Sequence, residues 1–412
     1  MKTTASSILT GFKSILGEWL ALAVKTLNLG KVLSRFLDKC VISIVSLRGK
    51  VNFLQLGRYS DLNEKTFRNN FSKRNLNWVE LNAVMIDKVL PHPSDRVIAL
   101  DPAHISKSGR CTPGIGMYWS GASGKSVYGL ELTAFAAIDY KTGDCLMLGA
   151  EQSLPEQSDG SVLTMTECYL KALKDRSDNL LKISNIIVAD SFFARKTFVL
   201  PALDLGFTMV SKLPINASLR YIANDEYIRL RGVRRGYQPI YAGKVEVSNM
   251  DAMFTESLYI EGIGKFHTAV VYSVSLKRNI RIVVGRIGDR DNVILFTTDV
   301  DMEASRVVAI YRKRFRIEFG IRDAKQFTGL NHNQARNTDR IDFAYNVSFF
   351  TRNVLQTEVK LLFPNLSVGQ LKKVISDTVF ALKILEIGAK CENPMTQSAI
   401  HRLIATYAGV AA

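Results

Sequence analysis

Two short apolar runs, each closed by an aspartate, constrain the fold of this chain most strongly. RVIALD (residues 96–101) ends in Asp101, and PAHISKSG, a segment rich in turn-forming residues, follows it. ISNIIVADSFFAR contains a second apolar run, which ends in Asp190. Runs of this length bounded by turn signals are typical of buried strands. The sequence therefore predicts two buried strands, each with an acidic side chain at its carboxyl end.

Strands and helices alternate around these two runs. SVYGLELTAFAAIDYKTGDCLMLGAEQSL predicts two strands joined by a turn at DYKTGD, and residues 161–176 have a helical pattern. The helical pattern resumes at about 303 and extends to about 361, Pro364 breaks it, and one or two further helices follow to about 390. Between them, residues 207–300 have an irregular, β-rich pattern, as in FTMVSKL, YIRLRG, YQPIYAGKVEVS, FTESLYIEG, FHTAVVYSVSL, IRIVVGRIG and NVILFTTD.

The first 95 residues have a basic, helical pattern, and part of them resembles a helix–turn–helix. In LGRYSDLNEKTFRNNFSKRNLNWVELNAVMI, Ser60 or Asp61 can cap a helix, and Glu64 stands where a capping-box glutamate would. Its basic side chains suit phosphates and base edges, and they are Lys65, Arg68, Lys73 and Arg74. The alternative is a solvated helical hairpin that binds no DNA.

The charge of the chain indicates a polyanionic partner. Lys plus Arg number 54 and Asp plus Glu 38, which gives a net charge of +16, and nucleic acid is the simplest such partner. A membrane surface is the competing partner. However, residues 8–24 are interrupted by Lys13 and Glu18, predict an amphipathic helix and are not expected to span a bilayer. The five cysteines form no CxxC pair, which argues against structural zinc or disulfides and fits a reducing cytoplasm.

A stripe of basic residues surrounds one glutamate in the segment YRKRFRIEFGIRDAK. Intervals of 3, 4, 4 and 3 residues place five side chains on one helix face, about 21 Å long at 1.5 Å per residue: Tyr311, Arg314, Glu318, Arg322 and Lys325. The alternative is a solvated helix face with ordinary ion pairs.

Three acids, Asp101, Asp190 and Glu318, make a set that two divalent ions could share while also binding phosphate oxygens. The two aspartates have structural alternatives. Asp101 could simply end a strand before Pro102, and Asp190 could cap the helix that follows it.

The spacing from Tyr311 through Arg314 and Glu318 to Lys325 resembles the YREK signature of DDE transposases from one large group of bacterial insertion sequences. The order of elements from about residue 55 to 360 resembles that group as well. The resemblance implies an α/β fold: a ribonuclease H-like mixed sheet with helices, interrupted by a β-rich insertion and preceded by a helical DNA-binding domain. The expected domains are 1–95 (DNA binding), 96–206 and 301–375 (the two parts of the catalytic domain), 207–300 (the insertion) and 376–412 (a helical tail).

The resemblance also implies roles for individual residues. Asp101, Asp190 and Glu318 would bind two Mg²⁺ ions, with Mn²⁺ as a substitute, and Tyr311, Arg314 and Lys325 would hold phosphates of the transposon end. A phosphate role for Arg322 is inferred from the stripe alone. His104 could reach the same site, or it could be a loop histidine bonded to the backbone.

Members of this group usually process DNA ends through a hairpin, with a flipped base stacked on an aromatic side chain. The three tryptophans, Trp19, Trp78 and Trp119, lie outside the insertion, so the sequence does not predict that route. The aromatic candidates within the insertion are Tyr237, Tyr241, Phe254 and Tyr259. Four basic residues there either line DNA or belong to a solvated loop: Arg229, Arg231, Arg234 and Arg235.

The sequence thus predicts a cut-and-paste DNA transposase that binds terminal inverted repeats, acts as a homodimer on paired ends and joins them to target DNA. It would work in the bacterial cytoplasm on the nucleoid, without membrane association. No nucleotide cofactor is expected, because no GxxxxGK[ST] motif occurs. The alternatives are a catalytically inactive DNA-binding protein derived from a transposase, a ribonuclease H-like nuclease without strand transfer and, more remotely, a membrane-surface protein.

Overall fold

A large mixed β-sheet forms the centre of the protein. The computed structural model describes residues 4–72, 76–121, 123–157, 159–223, 228–229, 240–247, 256–285, 293–389, 396, 398–400 and 402. Within these residues, twelve strands form one sheet. They are β1 (Arg96–Ser106), β2 (Gly116–Ser120), β3 (Lys125–Asp139), β4 (Cys145–Gln152), β5 (Ile186–Val188), β6 (Thr208–Leu213), β7 (Leu219–Ile222), β8 (Tyr241–Lys244), β9 (Glu256–Ile260), β10 (Gly264–Ser273), β11 (Arg278–Gly285) and β12 (Val293–Thr297). Their order is β2-β3-β1-β5-β6-β12-β11-β10-β7-β8, with β4 beside β3 and β9 beside β10.

Helices cover both faces of this sheet. They are α1 (Ala5–Thr26), α2 (Lys31–Ser46), α3 (Phe53–Arg58), α4 (Glu64–Asn70), α5 (Trp78–Ala83), α6 (Ile86–Val89), α7 (Met165–Lys174), α8 (Ser177–Leu181), α9 (Lys196–Asp204), α10 (Ala304–Lys313), α11 (Arg316–Phe327), α12 (Thr338–Leu361) and α13 (Val368–Ala389). Short 3₁₀ turns occur at Pro93–Asp95 and Ser191–Phe193.

Strand β1 joins the antiparallel and the parallel parts of the sheet. It runs antiparallel to β3 and parallel to β5, and β5 runs parallel to β6. A mixed sheet of this kind with helices on both faces is consistent with a ribonuclease H-like domain. The predicted hairpin at DYKTGD is confirmed, because β3 and β4 pair antiparallel on either side of that turn.

The predicted position of Asp101 at the end of its strand is wrong. β1 continues through Ser106, paired with β3 along its whole length, so Asp101 lies in mid-strand. Pro102 is tolerated there because the pairing of β1 with β5 stops at Ala99, which leaves the next residues on an open edge.

Alternating side chains along the strands build two hydrophobic cores, one on each face. Ile98 and Leu100 belong to the core that includes the N-terminal helices, α7 and α9. Val97 and Ala99 belong to the core that α10 and α11 cover. Since successive side chains of a strand point to opposite faces, Asp101 lies on the same face as Val97 and Ala99.

The N-terminal helices pack on the sheet and on the two long C-terminal helices. α1 contacts α12 and α13, α2 contacts α13, and α5 contacts β4. The cap of α4 is Asn63, whose side chain accepts the Thr66 N–H, so the prediction of Ser60 or Asp61 is wrong. The domain boundaries at 95, 206, 300 and 375 stay predictions.

Helix α1 differs in one respect from the amphipathic helix that the sequence predicts. By length and composition alone it could cross a membrane, although it contains Lys13 and Glu18. Its apolar face is occupied within the protein, because Phe12, Leu16 and Trp19 are fully buried in the core. The Trp19 indole N–H also donates to the Leu81 carbonyl oxygen at 2.8 Å.

The helical stretch from 303 to 361 is three helices rather than one. α10 and α11 are separated by Arg314 and Phe315, and residues 328–337 connect α11 to α12 without forming a helix. α12 ends before Pro364, as predicted. Of the predicted β-rich segments, YIRLRG lies largely outside the described residues, and its two described residues, 228 and 229, are helical.

Gly320 controls how closely the Glu318 helix approaches the sheet. A Cβ there would lie 3.1 Å from Met147 Cγ and would overlap Sδ. We expect Gly320→Val to lower the free energy of unfolding by about 2 kcal/mol, because the fully buried Met147 side chain would have to be displaced within the core. Gly17 of α1 is the control, since a Cβ at this position has open space, and Gly17→Val should change stability by less than about 0.5 kcal/mol. Equal urea midpoints for the two variants would contradict this close packing.

Glu358 of α12 should make stability depend on pH. It is fully buried, and burial raises its pKa to about 8, although the Phe12 backbone N–H opposes this change. Because the folded pKa lies above the unfolded one, the free energy of unfolding should fall as pH rises from about 4.5 to 8.

Glu358→Gln removes this dependence. Between pH 5 and 9, the free energy of unfolding of wild type, measured in urea, should fall by roughly 2–4 kcal/mol relative to that of this variant. The exposed Glu261→Gln serves as the control for carboxylate removal. Parallel pH profiles of wild type and Glu358→Gln would show that Glu358 is ionised in the folded protein.

Candidate active site

Strand register places Asp101 and Asp190 beside each other. In the parallel pair, Ile98 is opposite Ile187 and Ala99 is opposite Val188. Each aspartate stands two residues beyond the Ala99–Val188 pair, so both follow the paired segment at the same point, and they are near enough for the charge of Asp190 to raise the pKa of Asp101. Asp190 has turned out of its strand, and its carboxylate accepts the Phe192 N–H at 2.9 Å. The predicted capping alternative is therefore present, but on a 3₁₀ turn rather than on α9.

Glu318 reaches the same region from α11. α11 lies over β1, β3 and β4 and buries Ile317, Ile321 and Ala324 in the core on that face. Its amphipathic pattern thus fixes which side faces the sheet and leaves Glu318 at the margin, with 48% of its side chain exposed.

Arg314 bridges two of the acids. It occupies the break between α10 and α11, and its Nη2 donates to Glu318 Oε1 at 2.8 Å. Its Nη1 lies 3.7 Å from Asp101 Oδ1. The side chains of Arg314 and Asp101 are each only 17% exposed, so this guanidinium is a partly buried counter-ion between two carboxylates.

Tyr311 and Lys325 complete the cluster. Lys325 Nζ donates to the carbonyl oxygen of His104, two residues from Pro102 on β1, at 2.7 Å. Burial lowers the pKa of Lys325, while the charge of Asp101 opposes that change. Burial raises the pKa of Tyr311, which Arg314 lowers and the charges of Asp190 and Glu318 raise further. Three acids, two cations and a phenol therefore share one electrostatic environment.

The charge balance at Asp101 is incomplete. Burial raises the pKa of Asp101 to about 7, Arg314 and Lys325 oppose this change, and Glu318 and Asp190 add to it by repulsion. A buried carboxyl group without a full counter-charge is common where a further cation binds.

The acids fit a divalent cation in their chemistry, since hard carboxylate oxygens are the ligands that Mg²⁺ prefers. In the described part of the chain, no three acidic, histidine or cysteine side chains are close enough to hold a metal ion. The guanidinium of Arg314 supplies a reason, because it takes up the space between Asp101 and Glu318. An ion bound to both acids would take the place that this guanidinium occupies.

The surroundings of two other candidate residues, Arg322 and His104, differ from those of the cluster of acids. Arg322 is exposed on α11, stacks on Phe319 with its guanidinium carbon 4.4 Å from the ring centre, and faces a separate cavity. His104 belongs to strand β1 rather than to a loop, and its Nε2 lies 3.3 Å from the Tyr128 carbonyl oxygen. Its expected bond to the backbone is thus present.

The N-terminal and insertion candidates are described only in part. Lys65 and Arg68 are exposed on α4, where Arg68 pairs with Glu64. Tyr241 packs on Tyr272 at 4.9 Å between ring centres, whereas Tyr259 is 76% exposed. Arg229 is exposed. The remaining candidates lie outside the described residues: Lys73, Arg74, Arg231, Arg234, Arg235, Tyr237 and Phe254.

Sequence reasoning missed two arginines of the cavity that Arg322 faces, Arg316 and Arg352. Arg316 lies within the motif segment but off the predicted stripe, so spacing alone did not select it. Arg352 has no local signal, because its burial depends on how α12 packs.

Comparison with known families agrees with this arrangement. The family model described as a transposase DDE domain matches residues 92–353, which is more than half of the chain. The chain belongs to the DDE transposase family. The match includes all three acids and extends from just before β1 into α12. No curated protein matches the sequence. The family implies a metal-dependent transposase that acts on DNA.

Asp190 should be replaceable by an isostere without loss of the fold. Asparagine keeps the side-chain oxygen that accepts the Phe192 N–H. The free energy of unfolding of Asp190→Asn should therefore lie within about 0.5 kcal/mol of the wild-type value. Asp190→Ala loses that acceptor and should cost about 1 kcal/mol. The comparison is made by urea unfolding in EDTA. If alanine and asparagine cost the same, the cap contributes nothing and Asp190 is held in place by other contacts.

Proposed function

We propose that this DDE transposase is a cut-and-paste enzyme of the insertion-sequence group with the YREK signature. One observation carries the proposal: the four signature residues and the two aspartates converge on one face of the sheet, with Arg314 between Asp101 and Glu318. Residues 221 positions apart in sequence, Lys325 and His104, are in direct contact there.

Each residue has a role in phosphodiester chemistry under this proposal. Asp101, Asp190 and Glu318 hold the divalent cations, Mg²⁺ or Mn²⁺. When bound, these cations favour ionisation of the attacking water and stabilise the leaving oxygen. Arg314 and Lys325 stabilise the charge that develops on the scissile phosphate, which they can do because they are already held in place and partly desolvated.

Arg314 changes partners during this process. Without DNA it balances Asp101 and Glu318, and its planar fork fits phosphate oxygens equally well. Tyr311 is near enough to Arg314 to help orient it. With cations held by Asp101 and Glu318, the guanidinium of Arg314 would be free to bind a phosphate of the transposon end.

The rest of the proposal concerns assembly. The N-terminal helices, with Lys65 and Arg68 exposed on α4, bind the terminal inverted repeats as double-stranded DNA. Two copies act on paired ends, and the freed 3′ hydroxyl attacks the opposite strand or the target without a nucleotide cofactor. The net charge of +16 supports nucleic acid as the partner, on the nucleoid of a bacterial cytoplasm.

A second candidate is a DNA-binding protein that has lost catalysis. It is favoured by the position of Arg314, whose guanidinium already pairs with two of the acids, and by the absence of a three-carboxylate cluster among the described residues. The test below separates the two.

The proposal predicts that Asp101→Asn, Asp190→Asn and Glu318→Gln each abolish excision. A marker flanked by the inverted repeats that border this gene is introduced into cells, and excision is counted for wild type and each variant. The loss should exceed the roughly 10- to 100-fold cost of removing an outer-shell partner of a metal. Asp178→Asn, an exposed acid of α8, is the control and should excise normally.

Purified protein completes this experiment. Each variant should still shift repeat DNA in a gel, because the acids are not needed for end binding. If wild type shifts the DNA but never excises the marker, the non-catalytic candidate replaces the proposal. If a variant excises as wild type does, its residue is not a metal ligand. Cleaved ends without joined products would indicate a nuclease.

A further inference from the structure

A second basic site lies beside the cluster of acids. A cavity of about 570 Å³ is enclosed by α11, α12, the start of α13 and the turn between β3 and β4. Three arginines line it: Arg316 and Arg322 from α11, and Arg352 from α12. None of the three proposed metal ligands lines this cavity.

Arg352 lies in the wall of the cavity, and one of its N–H groups has no hydrogen-bond acceptor among the described residues. It is 4% exposed, and its Nη atoms donate to Cys145 O at 3.0 Å, Gln356 Oε1 at 3.3 Å and Asp323 Oδ2 at 3.4 Å. Its Nε is buried and has no hydrogen-bond partner among the described residues. A buried donor without an acceptor is unfavourable, but this Nε is shielded from solvent, so Arg352 contributes its charge to the cavity wall rather than a donor that a ligand could reach.

Arg316 has the same deficit. Its Nε is also buried without a partner in the described part of the chain. The side chain lies over Gly143, where a Cβ would come within 2.9 Å of that Nε. Gly143 has φ +82° in the turn between β3 and β4, so the position both needs glycine for its backbone and leaves room for the guanidinium.

Arg322 holds the outer side of the cavity. Its guanidinium rests on the Phe319 ring, which restricts its orientation without using any of its N–H groups. No hydrogen bond or ion pair of Arg322 occurs among the described residues, so its donors are available to a ligand.

The amino end of α13 faces the same space. Ser367, Val368 and Gly369 line the cavity at the start of this 22-residue helix. The first turn of a helix carries partial positive charge, although here the Ser367 hydroxyl oxygen already accepts the Gln370 N–H at 3.2 Å. This contribution adds to that of the arginines.

The acids of the cavity wall do not cancel this charge. Asp144 pairs with Lys360 at 2.5 Å, and Asp323 pairs with Arg352 at 3.4 Å. Arg316 and Arg322 are therefore left without a carboxylate partner in the described part of the chain. The cavity has a net positive charge and unused donors, which are the properties of an anion site.

We propose that this cavity binds a phosphate group of a DNA strand that runs along α11 from the cluster of acids. Arg322 is one helical turn from Glu318, about 6 Å at 1.5 Å per residue, so one strand could reach both. The fork of each guanidinium fits phosphate oxygens. This inference rests on the proposed function only in naming DNA as the ligand. Free phosphate has the same chemistry and would use the same contacts.

The test measures duplex binding by the full chain in EDTA, so that no metal-dependent step contributes. Fluorescence anisotropy of a labelled duplex with the repeat sequence is recorded between 50 and 200 mM salt. Arg316→Gln and Arg322→Gln should each weaken binding about tenfold and reduce the slope of log K against log salt by about 0.9, the value for one lost phosphate contact. Lys174→Gln removes the same charge from an exposed site on α7 and should change neither.

Two further measurements distinguish a phosphate group of DNA from free phosphate. Arg322→Lys keeps the charge but not the fork, so it should keep the salt slope while weakening binding. Inorganic phosphate is titrated in thermal unfolding, where wild type and the double arginine variant are compared. If phosphate raises the Tm of wild type alone but the arginine variants bind DNA with the slope of wild type, the cavity takes free phosphate and the DNA proposal is overturned.

If neither ligand distinguishes the variants from wild type, the cavity is no anion site and the proposal fails. These outcomes are separate from those of the excision assay. If wild type never excises the marker, the salt slopes of DNA binding can still be measured. If the arginine variants have the wild-type slope, this inference fails, but the proposed roles of the three acids are not affected.

Discussion

Parallel pairing between β1 and β5 is the constraint on which the site depends. Two residue pairs, Ile98 with Ile187 and Ala99 with Val188, fix the register, and that register brings Asp101 and Asp190 to one level. A slip of one residue would turn one aspartate to the opposite face, into the apolar core. The buried side chains on both faces of β1 prevent such a slip, so the packing of the sheet and the geometry of the acids have the same cause.

The second requirement is electrostatic. Three carboxylates near one another repel, and burial raises the pKa of Asp101 to about 7 even with Arg314 close by. Two cations offset this cost in part: Lys325 from α11, the helix that carries Glu318, and Arg314 from the break before α11. Under the proposed function, these groups would separate when the ligands bind, the acids to hold cations and Arg314 to hold phosphate.

Much of this site follows from the sequence, and the parts that do not have physical reasons. The intervals of three and four between Tyr311 and Lys325 predict a shared helix face, and all four signature residues lie together. The break at Arg314 and Phe315 has no sequence signal, because neither residue disrupts a helix on its own. It nevertheless lets Arg314 reach both Asp101 and Glu318.

Errors at the strands and caps have local causes. Pro102 suggested the end of a strand, yet the open edge of β1 accepts a proline, a property of the sheet that no single segment reveals. Asn63 caps α4 in place of Ser60 or Asp61, which are equally good caps by residue type. Arg352 and the cavity beside α13 depend entirely on the packing of distant helices.

The central claim is that Asp101, Asp190 and Glu318 surround one cation site, and cleavage of the protein by a bound metal tests it most directly. Fe²⁺ in place of Mg²⁺, with ascorbate and peroxide, produces hydroxyl radicals that cut the backbone next to the ion, and mass spectrometry locates the cuts. The account predicts cuts near residues 101, 190 and 318 together, suppressed by excess Mg²⁺ and lost in Glu318→Gln. Cuts confined to one of these segments, or placed elsewhere in the chain, would contradict it.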